Sequence, residues 1–395
     1  MKLLNQIFAV TALNIRNLPQ RVGGSLVAVV GVAAVVLVFA AVLSMAAGFE
    51  RTMLTAGAED TAIILRSGST AELNSGFSNE QALIIAAAPG VMRDGDTPIT
   101  SSELYVVVDI RKKSTNDDAN VPLRGVQPAA FDVRNNLKIA EGRMFEEGKN
   151  ELIVGRAAQS EFAGLEIGDD IRFGQTNWTV VGVFDAGGSV SESELWTDLR
   201  VLQTMYRRGN SVQSVRVRLE SPASISAVEQ ALADDPRVDV DVSSEKAYYS
   251  SQAAPLSRFI KIVGYPLTVL MAIGAVFGAL NSMYASVSVR GKEIATLRAL
   301  GFGPLSVLIS TIIESTLLSL IGGVLGGALA YIAFNGFQVS TLNGASFSQV
   351  VFDFAVTPDL LSQGLVAALI IGLVGGFFPA IRAARLPVAQ ALREL

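Results

Sequence analysis

VGGSLVAVVGVAAVVLVFAAVLSMAAGF, residues 22–49, runs for 28 residues without a charged side chain. A helix rising about 1.5 Å per residue needs roughly 20 such residues to cross a hydrocarbon core of about 30 Å, so this stretch alone places the chain in a membrane. Ser44, Met45 and Ala46 have the small-residue character of a signal-peptide cleavage site. The apolar part of such a peptide is only about 7 to 15 residues long, so the run reads as a retained anchor. Residues 262–289 and 360–381 are two further uncharged runs, of 28 and 22 residues. A fourth, residues 305–334, is broken only by Glu314, which a span tolerates when the acid faces protein. Four transmembrane helices follow, over 22–49, 258–289, 305–334 and 360–381.

Composition agrees and removes whole classes of chemistry. The chain of 395 residues is 50% hydrophobic and 17% charged. It has no Cys, hence no thiol nucleophile, thiolate metal site or disulfide, and no His, hence no imidazole base and no ordinary zinc site. A net charge of -5 offers no global positive field for nucleic acid.

Basic residues in short loops set the orientation. Segments 1–21, 290–304 and 382–395 carry nine of them (Lys2, Arg16, Arg21, Arg290, Lys292, Arg298, Arg382, Arg385 and Arg393) against Glu293 and Glu394. These segments belong in the cytoplasm, with both termini. Residues 50–257 hold 20 basic and 31 acidic residues, and the short loop 335–359 has no basic residue, so both belong outside. Arg258 and Lys261 at the outer mouth of the second span read as snorkelling side chains. In residues 1–21, Leu4, Phe8 and Ile15 fall near one helical stripe that Pro19 ends, the pattern of an amphipathic elbow helix.

Residues 50–257 are long enough for an α+β domain of two subdomains. Strand-like runs occur at 62–65, 104–110, 152–154, 170–173, 178–184, 212–219 and 238–242, and helical runs at 82–88, 157–165, 199–207 and 225–233. Ser78 and Gln81 form a capping-box pattern ahead of the first. The acidic pairs Asp117-Asp118, Glu146-Glu147, Asp169-Asp170 and Asp234-Asp235 diverge in any regular element and read as solvated surface. No G-x-S-x-G elbow suggests a hydrolase.

The cytoplasmic stretch RGKEIATLRALGFGP, residues 290–304, fits a helix of about three turns that Gly301 and Pro304 end. Ile294, Leu297 and Leu300 form an apolar stripe of the kind that seeks a partner groove. Glu314 reads as an intramembrane hydrogen-bonding group at a helix contact. Beside it Gly322, Gly323, Gly326 and Gly327 allow close helix packing, and Gly274, Gly278 and Ser282 give a second small-residue face suited to a dimer contact.

Three segments carry a resemblance. Residues 290–301 closely resemble the coupling helix of the MacB/FtsX/LolC permease family, roughly R-x-x-E-I-x-x-L-R-A-L-G, with Arg290, Glu293, Ile294, Leu297, Arg298, Ala299, Leu300 and Gly301 matching. PAIRAARLPVAQALR, residues 379–393, resembles the family's C-terminal signature through Pro379, Arg382, Pro387, Leu392 and Arg393. EGRMFEEGKNELIVG, residues 141–155, with IGDDIR at 167–172 and WTVVGV at 178–183, is similar to the periplasmic core domain of MacB-type permeases, the motif-bearing part being about 125–195. Together they cover essentially the whole chain.

The resemblance implies an ABC permease of the bacterial inner membrane that works by mechanotransmission. No G-x-x-x-x-G-K-[ST] occurs, and only about 21 residues precede the first span. ATP and Mg would therefore be bound by two copies of a separate ATPase, with no cofactor on this chain and no catalysis by it. Further implied partners are a second permease copy, as homodimer or heterodimer, membrane lipid, a periplasmic adaptor and an outer-membrane channel for export from the periplasm or outer leaflet. Lipoprotein or lipid extraction in the manner of LolC and LolE, and FtsX-like signalling to a cell-wall hydrolase, are the alternatives within the resemblance.

Overall fold

The structure, a computed structural model, describes residues 3–17 and 22–388. It divides into a helical unit, residues 1–47, 258–337 and 354–395, and an α/β unit, residues 48–257 and 338–353.

In the helical unit the elbow α1 (Leu3–Asn17) turns Leu4 and Phe8 outward, each 77% exposed, and buries Val10 and Asn14. Among the described residues four helices are long and apolar enough to cross a membrane: α2 (Val22–Ala56), α8 (Glu245–Val289), α10 (Pro304–Phe334) and α11 (Pro358–Ala384). Small residues decide how they meet. A Cβ on Gly322 or Gly326 would lie 2.6 Å from the carbonyl oxygen of Val29 or 2.3 Å from that of Ala33, so this face of α10 rides directly on the α2 backbone. The neighbouring face fits α11: a Cβ on Gly323 would meet the Ala368 methyl at 2.7 Å, and one on Gly327 would meet Leu361 at 3.2 Å. Gly274 and Gly278 of α8 have nothing within 4 Å of such a Cβ among the described residues, so their small-residue face is open within this chain.

The helices outrun the expected boundaries. α2 continues to Ala56, and α8 begins at Glu245 rather than near 258, because 245–257 (EKAYYSSQAAPLS) is helix-compatible although too polar to be scanned as a span. At about 1.5 Å per residue, the 45 residues of α8 make a helix of roughly 68 Å.

The α/β unit is built on a ten-stranded mixed sheet. Its strands are β1 (Thr61–Arg66), β4 (Thr100–Arg111), β5 (Asp118–Val126), β6 (Lys138–Gly142), β7 (Glu151–Gly155), β8 (Asp170–Phe173), β9 (Thr176–Asp185), β10 (Leu195–Asp198), β11 (Ser214–Arg218) and β12 (Val240–Ser244). The two-residue strands β2 (Arg93–Asp94) and β3 (Thr97–Pro98) pair only with each other. The order is β12-β1-β11-β4-β5-β10-β7-β9-β6, with β8 on β9; the β5/β10 and β7/β9 pairs are parallel and the rest antiparallel. Helices α3 (Asn79–Ala86), α5 (Arg156–Glu161), α6 (Leu199–Met205) and α7 (Ile225–Ala233) contribute to one large apolar core, and α4 (Ala130–Val133) to a smaller second one with Phe184 and Trp196. The Ser78/Gln81 capping box is formed on α3.

β5, β6 and β10 were not expected from the sequence. β5 carries Pro122 and Gly125, both weak strand formers, yet it is central. Its partner β10 pairs only residues 123–126, so the missing Pro122 N–H interrupts no bond on that side. The loop 335–359 is more than a connection: β13 (Gln338–Asn343) and β14 (Ser348–Asp353) form a hairpin that belongs to the α/β unit. There Val351 joins the main core and the Tyr105 and Ser348 hydroxyls are 2.8 Å apart. Two glycines of the 141–155 motif are obligatory. A Cβ on Gly142, at φ +71°, would lie 2.3 Å from the Val181 carbonyl oxygen, and one on Gly155 would lie 2.1 Å from that of Glu192.

Candidate coupling site

After Val289 the chain turns into α9 (Gly291–Ala299), shorter than the helix expected at 290–304. Its end is built as the sequence implies: Gly301 takes φ +95° and the Phe302 N–H bonds back to the Leu297 carbonyl, a glycine-dependent C-terminal turn, before Pro304 opens α10. Its faces are arranged differently. The Ile294, Leu297, Leu300 stripe does not face outward as one patch. Ile294 is 4% exposed and packs with Val287, Val307, Ala383 and Leu386, because α9 lies on the ends of α8, α10 and α11. Leu297 is half-buried; Leu300, 72% exposed, is the outward apolar residue, with Thr296 and Ala299 on the same open surface.

Two arginines of the 290–301 segment are engaged inside the helical unit. Arg290 is buried, and its Nη1 donates to Glu314 Oε2 at 2.6 Å. Its Nη2 donates to Asn14 of α1, and Glu293 lies 3.5 Å from Nε. Glu314 is itself 3% exposed, so the acid in the third span is the counter-ion of the residue that opens α9. Arg298 donates through Nη1 to the carbonyl oxygens of Ala384 and Leu386, at 3.1 and 2.8 Å, satisfying the C-terminal end of α11. Gln6 of α1 completes the frame: its Oε1 accepts from the Ser306 hydroxyl at 2.9 Å and the Gly303 N–H at 3.2 Å. Side chains thus tie α9 and the turns that flank it to α1, α10 and α11, and Ile294 packs it on the end of α8. The pairing of Arg290 with Glu314, 24 residues apart, had no local signal in the sequence.

The C-terminal signature is partly described. Pro379 is buried within α11, Arg382 lies over the Tyr284 ring with 5.6 Å to its centroid, and Pro387 is exposed. Leu392 and Arg393 lie outside the described residues.

A second polar constellation, inside the α/β unit, was missed entirely. Arg124 of β5 binds Glu194 through Nε and Nη2 at 2.7 and 2.8 Å, and its Nη1 reaches Glu72 at 2.6 Å and Glu103 at 2.8 Å. Arg216 of β11 reaches Glu103 and Glu245 at 2.6 Å each and Glu72 at 3.0 Å, while Arg134 is 2.8 Å from Glu103. All seven ionic side chains are buried. Burial alone would raise the carboxyl pKa values; the surrounding guanidinium groups outweigh it, holding Glu72 well below the usual range and Glu103 at about 2. The consequence is positional. Glu245 is the first residue of α8, and Tyr249 one turn on accepts from Arg216 Nη2 at 3.2 Å, so this cluster clamps the start of the longest helix to the middle of the sheet. Alternating single charges such as Glu103, Arg124 and Arg216 look like solvated strand positions in sequence, which hid them.

Against known families, residues 25–235 match the MacB-like periplasmic core domain and residues 267–388 match the FtsX-like permease C-terminal domain. The macrolide export ATP-binding/permease protein MacB of Bdellovibrio bacteriovorus is 31% identical over 301 residues, covering 70% of this chain and 44% of that protein. The protein of the same name from Vibrio parahaemolyticus is 26% identical over 317 residues, 76% of this chain and 46% of its own length. The chain therefore spans about half the length of the curated relatives it matches. The periplasmic region of MacB from Actinobacillus actinomycetemcomitans aligns over 48% of this chain and 90% of that one, at 14% identity and a TM-score of 0.36.

Proposed function

The chain belongs to the MacB-like, FtsX-type family of ABC transporter permeases, and from that premise we propose that it is a mechanical coupling subunit. A separate ATPase binds ATP and Mg, docks on the outward face of α9 around Leu300, and drives α9 when it closes. Residues 1–21, 290–304 and 382–395 face the cytoplasm; the α/β unit faces the periplasm. Two copies of the permease pair through the open Gly274 and Gly278 face of α8. Substrate is taken from the periplasm or outer leaflet and driven onward, with an adaptor and an outer-membrane channel.

The observation that carries this reading is the way α9 is held. Arg290, Ile294 and Arg298 tie it to α10, α8 and α11, so a push on Leu300 cannot be absorbed by a loose loop. Among the elements it moves is α8, a single helix whose first residue is fixed in the ionic cluster of the α/β unit. A continuous helix, in which Pro255 and Pro266 are the two places without a backbone N–H, carries displacement along its length, the requirement for a two-state lever. The spans contain few polar residues with which to line a pore, which favours a lever over a channel.

Leu300→Asp tests the docking face. The variant should accumulate in the membrane normally, since Leu300 is largely exposed, and lose capture of its ATPase, because docking would bury an unpaired carboxylate. Undiminished capture would remove Leu300 from the interface.

A further inference from the structure

Beside α9 lies a cavity of about 850 Å³, formed by the last turns of α8, the first residues of α9 and the end of α11. Three cations line it, Lys292, Arg382 and Arg385, and among the described residues no acidic one does. Among the described residues none of the three has a carboxylate within ion-pair distance, whereas Arg290 and Arg298, next to them in the same segments, are consumed by internal contacts. Arg298 already satisfies the α11 carbonyl end, so Arg382 and Arg385 are not needed there. The wall on the other side is apolar: Val289, 78% exposed, and Phe378, 55% exposed, continue into the outward-facing apolar surface of α8 and α11. Tyr284 stands between the two regions with Arg382 stacked on its ring.

A cavity whose lining joins three exposed cations to the exposed apolar residues Val289 and Phe378 of two span-length helices suits one kind of ligand, an anionic headgroup that remains attached to its acyl chains. We propose that this cavity is a binding site for an anionic phospholipid, with the phosphate held by Lys292, Arg382 and Arg385 and the first methylenes laid against Val289 and Phe378. A free phosphate or nucleotide would satisfy the floor but leave the apolar wall in water. The site adjoins Gly291, so an occupying lipid would buttress the start of α9 and make coupling sensitive to the anionic lipid content of the membrane.

The test uses the full chain purified in a neutral detergent, with lipid adducts counted by native mass spectrometry. Phosphatidylglycerol should be retained in preference to phosphatidylcholine of the same chain length. Lys292→Gln/Arg382→Gln/Arg385→Gln should lower that preference by roughly a hundredfold, from about fivefold per cation at a membrane surface. The charge-conserving Arg382→Lys/Arg385→Lys should keep most of it and shows that loss in the triple variant reflects charge and not misfolding. Equal retention of the two lipids, or unchanged retention by the triple variant, overturns the proposal. Displacement of phosphatidylglycerol by inorganic phosphate or ATP at equal concentration overturns it in favour of a soluble anion. Unchanged lipid preference with lost capture of the ATPase overturns it by assigning the three cations to the partner subunit.

Discussion

Replacing Arg290 with methionine removes the cation from a site where Glu314, 3% exposed, has it at 2.6 Å. The stem of the side chain is preserved, so the cost is electrostatic. Breaking a buried pair by deleting one partner costs about 3–5 kcal/mol, because the other charge stays buried without compensation. The expected loss for Arg290→Met is therefore about 3–5 kcal/mol. Glu314→Gln should be milder, about 1–2 kcal/mol: the amide oxygen can still accept from Nη1, and Glu293 at 3.5 Å and Asn14 remain with the guanidinium. Arg290→Met/Glu314→Leu, which removes both charges and fills the volume with apolar groups, should recover to within about 1–2 kcal/mol of the parent. Unfolding of the purified chain in mixed micelles titrated with sodium dodecyl sulfate, followed by circular dichroism, provides the comparison. A double variant as unstable as Arg290→Met alone would refute the assignment of the pair as a mutually compensating lock. A loss below about 1 kcal/mol for Arg290→Met would refute the claim that Arg290 is the counter-ion on which the buried Glu314 depends.

Gly326→Val should destabilise the helical unit by about 1–3 kcal/mol or more and reduce its amount in the membrane, since the Cβ would sit 2.3 Å from the Ala33 carbonyl oxygen. For the ionic cluster the sign is set by depressed carboxyl values: the unfolded chain binds protons first, so stability is fully present above about pH 4.5 and falls as pH drops through that value toward about 2. Fluorescence of Trp178 and Trp196, both buried in the α/β unit, should report a midpoint that is steady from pH 7 to 5 and declines below. Gly142→Ala should unfold the α/β unit at lower denaturant by about 1–3 kcal/mol, because it combines a left-handed backbone with a 2.3 Å approach to Val181; an unchanged midpoint would remove that requirement.

What could be read from the sequence followed physical range. Charge-free length made the four long helices visible, and the Gly322/Gly326 and Gly323/Gly327 spacing announced close packing, since both are signals within one element. Gly301 and Pro304 likewise marked the end of α9. Features that depend on folding were hidden. Ile294 belongs to a helical stripe in sequence, but the ends of three other helices turn it inward. β5 is a central strand despite Pro122 because its parallel neighbour β10 pairs only beyond that residue. The ionic cluster joins Glu72, Glu103, Arg124, Glu194, Arg216 and Glu245, separated by up to 173 positions, so no local pattern could expose it. The extension of α8 to Glu245 was missed because polar residues end a scan for apolar spans without ending a helix.

The central claim is that α9 moves the α/β unit through a continuous α8. The chain has no native cysteine, so Ser251→Cys, on the exposed side of α8 near its start, can carry a single spin label. The distance between labels in paired copies, measured by pulsed dipolar spectroscopy in nanodiscs with the ATPase present, should shift to a second distribution when ATP is trapped, and Leu300→Asp should abolish that shift. Identical distributions with and without trapped ATP, in a complex that still hydrolyses ATP and transports, would contradict the lever.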